Sequence, residues 1–284
     1  MVICRVLLDA FGTVFSPREP VFRQYTVVAR SFGLQVQEDA VKDAFKQAFK
    51  KWAKLHPLYG KHSAPPLDSS QWWSGVIADT FRQAGVPASD FAAVQHELCD
   101  TLVQRFWGKE GYELHDDCLP FLQALHKDLA LPPPAIVSNT DMAVFKILHS
   151  LGVTAATFDP PAAGIKQDEI WTTWELEKEK RSMDFWEEVM RRLRQTSKAS
   201  GGEELSPDEV LVVGDEFESD HEAPRRAGLR SLLLRRQKSN GQHARASCQD
   251  DETSLRSEDT VRSLMDVVEF IKRENEGVRE IGMV

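Results

Sequence analysis

Three apolar runs of this chain each end on residues that could do chemistry. VLLDAFGTV stops on the carboxylate Asp9, IVSN on Ser138 and Asn139, and VLVVGDEFESD on Asp215, with Asp220 five positions later. Between the second and third lies a lysine-rich stretch, WELEKEKRSMDFW. Brought together, carboxylates, a small hydroxyl and an ammonium suit phosphoryl transfer. A carboxylate can attack phosphorus to form an aspartyl-phosphate, and a divalent cation can shield the repulsion between the two anions. A hydroxyl and an ammonium can hold the phosphate oxygens while charge shifts in the transition state. Hard oxygen ligands with open positions for water favour Mg²⁺ over zinc or copper. Each residue alone has a plainer reading. A strand-end Asp often begins a turn, and Ser-Asn-Thr-Asp is a good helix N-terminus without any chemistry. Coincidence in chain order is what sets the group apart.

These residues can meet only if the apolar runs are neighbouring strands. Val2–Leu8, Pro134–Ser138, Val210–Gly214 and Arg230–Leu234 are nearly continuous apolar stretches, as expected for parallel strands buried on both faces. FDPP and EIWTTWEL read as a further strand and its exit loop, separated by an insertion around Pro160–Glu169. Helical periodicity marks CLPFLQALHKDL, Asp141–Gly152 with its terminal glycine, Phe185–Gln195 and Val261–Lys272. The alternation predicts right-handed βαβ units and an α/β, doubly wound parallel sheet, which binds ligands outside the carboxyl ends of its strands.

From about Val21 to Trp107 the texture is helical instead. Val21, Tyr25, Val28 and Phe32 recur at helical spacing, as do Val41, Ala44, Phe45 and Phe49. A Pro/Gly-marked connection, HPLYGKHSAPPLDSS, leads into QWWSGVIADTFRQAG, a helix whose expected N-cap is Ser69 or Ser70. The predicted organisation is a core of residues 1–16 and 112–284, with a helical insert at 17–111. SKASGGEELSPDE reads as a surface loop, and the polar Gln237–Asp259 stretch as a mobile one.

With 284 residues, 42% hydrophobic and 28% charged, the chain can bury a large core. Its formal charge of −9 argues against nucleic-acid or acidic-membrane binding, which wants a basic face. No apolar run approaches the roughly 18 residues that span a bilayer, and residues 1–8 are too short for a signal peptide. Cys4, Cys99, Cys118 and Cys248 are scattered without metal-ligand spacing, as in reduced intracellular proteins. The expected location is inside the cell, in the cytoplasm, with nucleus and mitochondrion as alternatives.

The set DAFGT, IVSN, a downstream lysine and VVGDEFESD resembles the haloacid dehalogenase (HAD) superfamily over essentially the whole chain. DAFGTVFSPREP, the HPLYG turn, QWW and VGDEFESD resemble the branch that contains haloacid dehalogenase-like hydrolase domain-containing protein 3 and its fungal relatives. The resemblance implies a HAD-like Rossmannoid core with the helical insert as a C1-type cap, and an active site in the cleft between them. It implies a hydrolase acting on a small phosphorylated metabolite with Mg²⁺ as cofactor. By the same resemblance Asp9 is the nucleophile, Thr13 supports its loop, and Ser138, with Asn139 beside it, holds phosphate. Asp215 is a magnesium ligand with Asp220 as its supporting partner, and the backbone carbonyl of Phe11 completes the metal set with Asp9. The family's Gly-x-x-Lys-Pro-Asp pattern puts Lys180 in the lysine role; Lys178 and Lys166 fit the spacing less well.

Departures from the pattern matter as much. HAD phosphatases carry a second aspartate two residues after the nucleophile as general acid/base, and here it is Phe11. Such proton transfer is worth roughly 10²- to 10⁴-fold in rate, so phosphatase activity should be slow. The 2-haloacid dehalogenases carry an aromatic residue there, because halide leaves without a proton, and they need no metal. They also grip the substrate with an early cap arginine, for which only Arg18 or Arg23 is loosely placed. Family Gly, Pro and Asp around the lysine are Glu177, Arg181 and Ser182, changes that could shift its head group. Two alternatives therefore stand beside the phosphatase reading: metal-free dehalogenation, and a catalytically weak HAD-fold binding or assembly protein with a protein partner. Trp72 and Trp73 read as insert packing, His56 and Tyr59 as turn residues, and His221 as an exposed helix residue.

Overall fold

The apolar runs become strands of one sheet. In chain order the strands are β1 (Arg5–Leu8), β2 (Phe15–Pro17), β3 (Tyr112–Leu114), β4 (Ala135–Ser138), β5 (Ile170–Thr172), β6 (Val210–Gly214), β7 (Arg230–Leu234) and β8 (Thr260–Val261). The helices are α1 (Val21–Ser31), α2 (Glu38–Leu55), α3 (Ser69–Gln83), α4 (Ala88–Arg105) and α5 (Cys118–Lys127). They continue with α6 (Ala143–Ser150), α7 (Thr173–Leu176), α8 (Met183–Ala199), α9 (Ala223–Arg226) and α10 (Leu264–Ile281). The structure, a computed structural model, describes residues 2–199, 204–236 and 259–281. The part of the predicted mobile stretch at 237–258, and 200–203 of the predicted surface loop, lie outside the described residues. Among the described residues no helix is long and apolar enough to cross a membrane.

Six strands pair in the order β5-β4-β1-β6-β7-β8, and every pairing is parallel. The central strands are buried along almost their whole length, which is why they read as continuous apolar runs. Leu7, Ala135, Val137, Trp171, Val210 and Val212 share one core cluster with Phe185, Trp186, Val189 and Leu193 of α8. Chain order and strand order diverge at β1: the chain moves outward through β4 and β5, then returns to lay β6 on the other side. That reversal places the carboxyl ends of three adjacent strands at a topological switch point, where open sheets leave a crevice.

Two sequence expectations are corrected. FDPP is not a strand; β5 forms at Ile170–Thr172, because consecutive prolines, Pro160 and Pro161, supply no N–H to a ladder. The α3 N-cap is Asp68 rather than Ser69 or Ser70. Its side chain accepts from Gln71 N at 2.8 Å while Gln71 Oε1 accepts from Asp68 N at 3.0 Å, a reciprocal capping box.

Two compact units divide the chain: residues 1–16, 114–139 and 152–284 form the first, and 17–113 with 140–151 the second. The second is helical, with a core of Tyr25, Val41, Ile77, Phe81, Phe91 and Leu102. Segment 140–151, read from sequence with the core, groups with this unit. There Trp73 Nε1 donates to Asp141 Oδ2 at 2.8 Å, and Lys146 Nζ sits 4.0 Å from the centre of the Trp107 ring. Trp72 is buried and stacks edge-on against Trp52, whose indole donates to Asp79 at 2.9 Å.

Gly75 lies in the interior of α3, where helix propensity alone favours alanine by about 1 kcal/mol. A Cβ at Gly75 would overlap the Trp52 ring. Packing should win, so Gly75→Ala is expected to destabilise by about 1–3 kcal/mol in urea unfolding. A variant more stable than wild type would show that the ring yields at no cost.

Candidate active site

Strand register delivers the chemistry. Leu8 of β1 sits opposite Ile136 on one side and Val213 on the other, and Asp9 N extends the ladder by donating to Val213 O at 2.9 Å. The register carries Asp9 to the level of Val137 in β4 and Gly214 in β6, one residue before Ser138 and Asp215. Asp9 is 7% exposed and Ser138 2% exposed. Two glycines make the approach of the later carboxylates possible. Gly12 turns with φ +76°, and a Cβ there would overlap the Asp215 carboxylate. A Cβ on Gly214 would overlap the carboxyl group of Asp220. Asp220 is held on a π-helical turn, Phe217–Glu222, where its Oδ2 accepts from Glu216 N at 2.9 Å. One carboxylate oxygen from each of Asp9, Asp215 and Asp220 lies within 4.8 Å of the others.

Lys180 enters this acidic cluster. Its Nζ lies 2.6 Å from Asp9 Oδ1 and 2.6 Å from Asp220 Oδ1, with its side chain 1% exposed. The chain reaches it through Glu177, which adopts the left-handed conformation (φ 54°, ψ 33°) at the end of α7. That conformation costs a non-glycine residue roughly 1–2 kcal/mol, and glycine much less. The turn is nevertheless made, and Glu177, Arg181 and Ser182 leave Nζ within hydrogen-bond reach of Asp9. Trp186 completes the support by donating its Nε1 to Lys180 O at 2.8 Å. Of the other lysines weighed, Lys178 pairs with Asp184 at 3.0 Å and Lys166 approaches Glu169 at 3.9 Å.

Electrostatics explain how one ammonium sits among three acids. For Lys180, burial works against the charge, but Asp220 and Asp9 outweigh it and hold the ammonium above the ordinary lysine range. For Asp9, burial pushes the carboxyl up, Lys180 pulls it down, and Asp220 and Asp215 push it up again, to about 8. Lysine thus keeps its proton, and Asp9 is the group that surrenders charge when no cation is present. The donor set fits a hard divalent cation: carboxylate oxygens in excess over the neighbouring ammonium, at the mouth of a parallel sheet. Asp9, Asp215 and Asp220 are the residues that would hold it.

The remaining candidates fall around this centre. The Phe11 ring packs on Phe15 with centroids 4.8 Å apart, within a turn closed by Gly12 N→Phe15 O and Val14 N→Ala10 O, both 2.8 Å. Thr13 is fully buried, and its hydroxyl has no hydrogen-bond partner among the described residues. Asn139 Oδ1 accepts from Thr173 Oγ1 at 3.1 Å. His221 is not an exposed helix residue. It is 5% exposed, its Nδ1 is 3.0 Å from Ser231 Oγ, and burial, aided by Arg225, lowers its pKa to about 4. Sequence reasoning used the aromatic at Trp186 only as a spacing mark for Lys180, and Gly214 only as part of a turn, without the supporting roles seen here. Their signals were present: an aromatic six residues after the lysine, and a glycine immediately before the strand-end carboxylate.

A haloacid dehalogenase-like hydrolase family model matches residues 5–228. The chain belongs to this family. Haloacid dehalogenase-like hydrolase domain-containing protein 3 of Danio rerio is 29% identical over 239 residues, covering 84% of this chain and 87% of that protein. The uncharacterized protein YMR130W of Saccharomyces cerevisiae is 28% identical over 238 residues, covering 81% of this chain and 71% of its own length. Among solved structures, the HAD-hydrolase YfnB from Bacillus subtilis, bound to magnesium, superposes with TM-score 0.57 at 14% identity, covering 96% of this chain and all of its own. This likeness supports the HAD fold; the sheet-edge geometry above is this chain's own.

Removing the shared ammonium should leave buried carboxylates uncompensated. Lys180→Met is expected to lose about 3–5 kcal/mol of stability at pH 8 or above. The deficit relative to wild type should shrink toward pH 5, as the carboxylates take up protons and need no counter-charge. Denaturant unfolding of both proteins across that range measures it, and a pH-independent deficit would contradict the assignment.

Proposed function

We propose that this HAD-like hydrolase is a slow, Mg²⁺-dependent phosphatase of a small phosphorylated metabolite. The observation that carries the reading is the convergence of Asp9, Asp215 and Asp220 around one ammonium. Three carboxyl groups around one ammonium leave no surplus positive charge for an anionic substrate until a divalent cation supplies it. Bound Mg²⁺ would shield that repulsion and steady charge on the phosphate oxygens. Asp9 attacks phosphorus, the phosphorus–oxygen bond to the leaving alkoxide breaks, and an aspartyl-phosphate forms. Water then attacks phosphorus, releasing inorganic phosphate and restoring the Asp9 carboxylate. Ser138 and Lys180 orient the phosphate oxygens, and Lys180 also keeps Asp9 in line. Phe11 offers no proton to the alkoxide, so the proton comes from solvent and the first step is slow.

Dehalogenation is less well supported. Arg18 pairs with Glu113 at 3.5 Å, and Arg23 with Glu19 and Glu38 at 3.1 and 3.5 Å, so both candidate grips for a substrate carboxylate already serve glutamates. Phe11 does favour one other reading, a HAD-fold protein that binds phosphate or a protein partner without efficient turnover. Free thiols at the scattered Cys4, Cys99 and Cys118 suit a protein working inside the cell, in the cytoplasm, with nucleus and mitochondrion as alternatives.

Phosphate-ester and 2-haloacid panels, run with and without Mg²⁺, separate these readings. The expected result is weak Mg²⁺-dependent phosphate release, no halide release, and loss of activity in Asp9→Asn. Phe11→Asp should raise the turnover rate by about 10²-fold or more by restoring a proton donor. Beryllofluoride binding without turnover in either protein would favour the binding reading.

Metal binding should depend on pH as well. Because Asp9 is protonated below about 8 in the metal-free site, the cation must displace that proton. Calorimetric Mg²⁺ affinity is expected to weaken by up to about tenfold per pH unit below pH 8, with proton release. Affinity constant from pH 6 to 8 would place the proton elsewhere.

A further inference from the structure

The loop that presents Asp9 closes on itself through Gly12 N→Phe15 O and Val14 N→Ala10 O, the Thr13 hydroxyl bonds nothing among the described residues, and further bonds reach the loop from outside. Two consecutive arginines just beyond the end of β7 contact it and its neighbour. Arg236 donates from Nη2 to Thr13 O at 2.7 Å and from Nε to Gly12 O at 3.3 Å. Its Nη1 binds Asp117 Oδ2 at 2.8 Å, the same oxygen that accepts from Leu264 N at the start of α10 at 2.7 Å. Arg235 donates from Nη1 to Asp215 O at 2.6 Å, and its own N–H bonds Val261 O of β8 at 2.7 Å.

We propose that Arg236 is a positioning residue for the active site, tying the Gly12–Thr13 backbone to Asp117, while Arg235 ties down the backbone of Asp215. The inference rests on the phosphatase reading for its catalytic consequence, though not for its geometry. Gly12 is where the two loops meet, because its α-carbon leaves no room for a side chain beside the Asp215 carboxylate. A shift of the Gly12 carbonyl therefore changes the spacing of Asp9 and Asp215 directly. Arginine suits the task and lysine does not. Three donors of one planar guanidinium reach three acceptors at fixed angles, whereas an ammonium is a single point on a flexible stem. Asp117 completes the brace as an anion: burial raises its pKa, but the bonds from Arg236 and Leu264 outweigh this and hold it below the usual carboxylate range. The arrangement assigns to Arg236, through backbone carbonyls, the loop support that the HAD resemblance gives to Thr13.

The test compares wild type, Arg236→Lys and Arg236→Gln in the full chain. Hydrogen exchange is read at the Gly12 and Val14 amides, which close the nucleophile loop, and at Leu7 and Leu8 of β1. Mg²⁺ affinity is measured by calorimetry. The expected result is exchange at least about tenfold faster at Gly12 and Val14 with β1 unchanged. Mg²⁺ binding should weaken about tenfold or more in Arg236→Gln, with Arg236→Lys rescuing little of it. Where turnover is measurable, kcat should fall more than KM rises, because misplacement of about an ångström can cost 10²-fold. Uniformly faster exchange, or loop exchange equal to wild type, would overturn the proposal. So would full rescue by lysine. If wild type binds no Mg²⁺, the phosphatase reading fails, and loop exchange alone then decides the role of Arg236. Should Arg236→Gln fail to fold, Arg236→Lys and Asp117→Asn carry the same exchange comparison.

Discussion

One buried ammonium organises the carboxyl edge of the parallel sheet in this molecule. Lys180 Nζ bridges Asp9 and Asp220 at 2.6 Å each, and no other ion pair with every partner so deeply buried is found among the described residues. Three carboxylates could not converge at the edge of an apolar sheet without a counter-charge, since the cost of desolvating each would drive protons onto them. The lysine in turn could not stay charged at such depth without the carboxylates. The pair is therefore mutually conditional, and much of the surrounding backbone exists to hold both halves at bonding distance. Gly214 admits Asp220, Gly12 admits Asp215, and Trp186 fixes the lysine backbone.

That constraint explains why the chain tolerates an unfavourable turn. Glu177 adopts a left-handed conformation that glycine would adopt with less strain, yet the lysine arrives where it is needed. Strain of about 1–2 kcal/mol is small beside the several kcal/mol at stake in a buried charge left unpaired. The relative sizes of these two effects decide the outcome, and the substitution pattern alone did not reveal them. Phe11 is a departure of another kind. It packs on Phe15 within the turn that follows Asp9. In the proposed phosphatase reaction its consequence is confined to proton transfer. A site can thus keep its electrostatic frame while losing a chemical participant, and fold and catalytic competence separate at a single position.

Much of this was legible from residue order. Parallel strands buried on both faces leave continuous apolar runs, so β1, β4, β6 and β7 could be read directly, along with the carboxylates and hydroxyl at their ends. The shared edge then followed from topology, because parallel strands put all their carboxyl ends on one side. Elements defined by local side-chain chemistry were harder. FDPP has strand-like apolar content but cannot donate to a ladder, and Asp68 outcompeted two serines for the α3 cap through a reciprocal bond with Gln71. His221, next to Asp220, looked exposed until β7 placed Ser231 against it.

The sequence by itself determined the order of the candidate residues at the strand ends, the helical character of residues between β2 and β3, and the aromatic residue at position 11. These are properties of residue type and spacing, which survive without knowledge of distance. The family spacing already put Lys180 ahead of Lys166 and Lys178, and the tertiary structure brought its Nζ to Asp9. Only the tertiary structure decided that segment 140–151 groups with the helical unit, and that Arg235 and Arg236 reach back to the loops of Asp215 and Asp9. Each of those outcomes depends on contacts between residues far apart in the chain. They are settled by tertiary contacts, which local pattern alone does not specify.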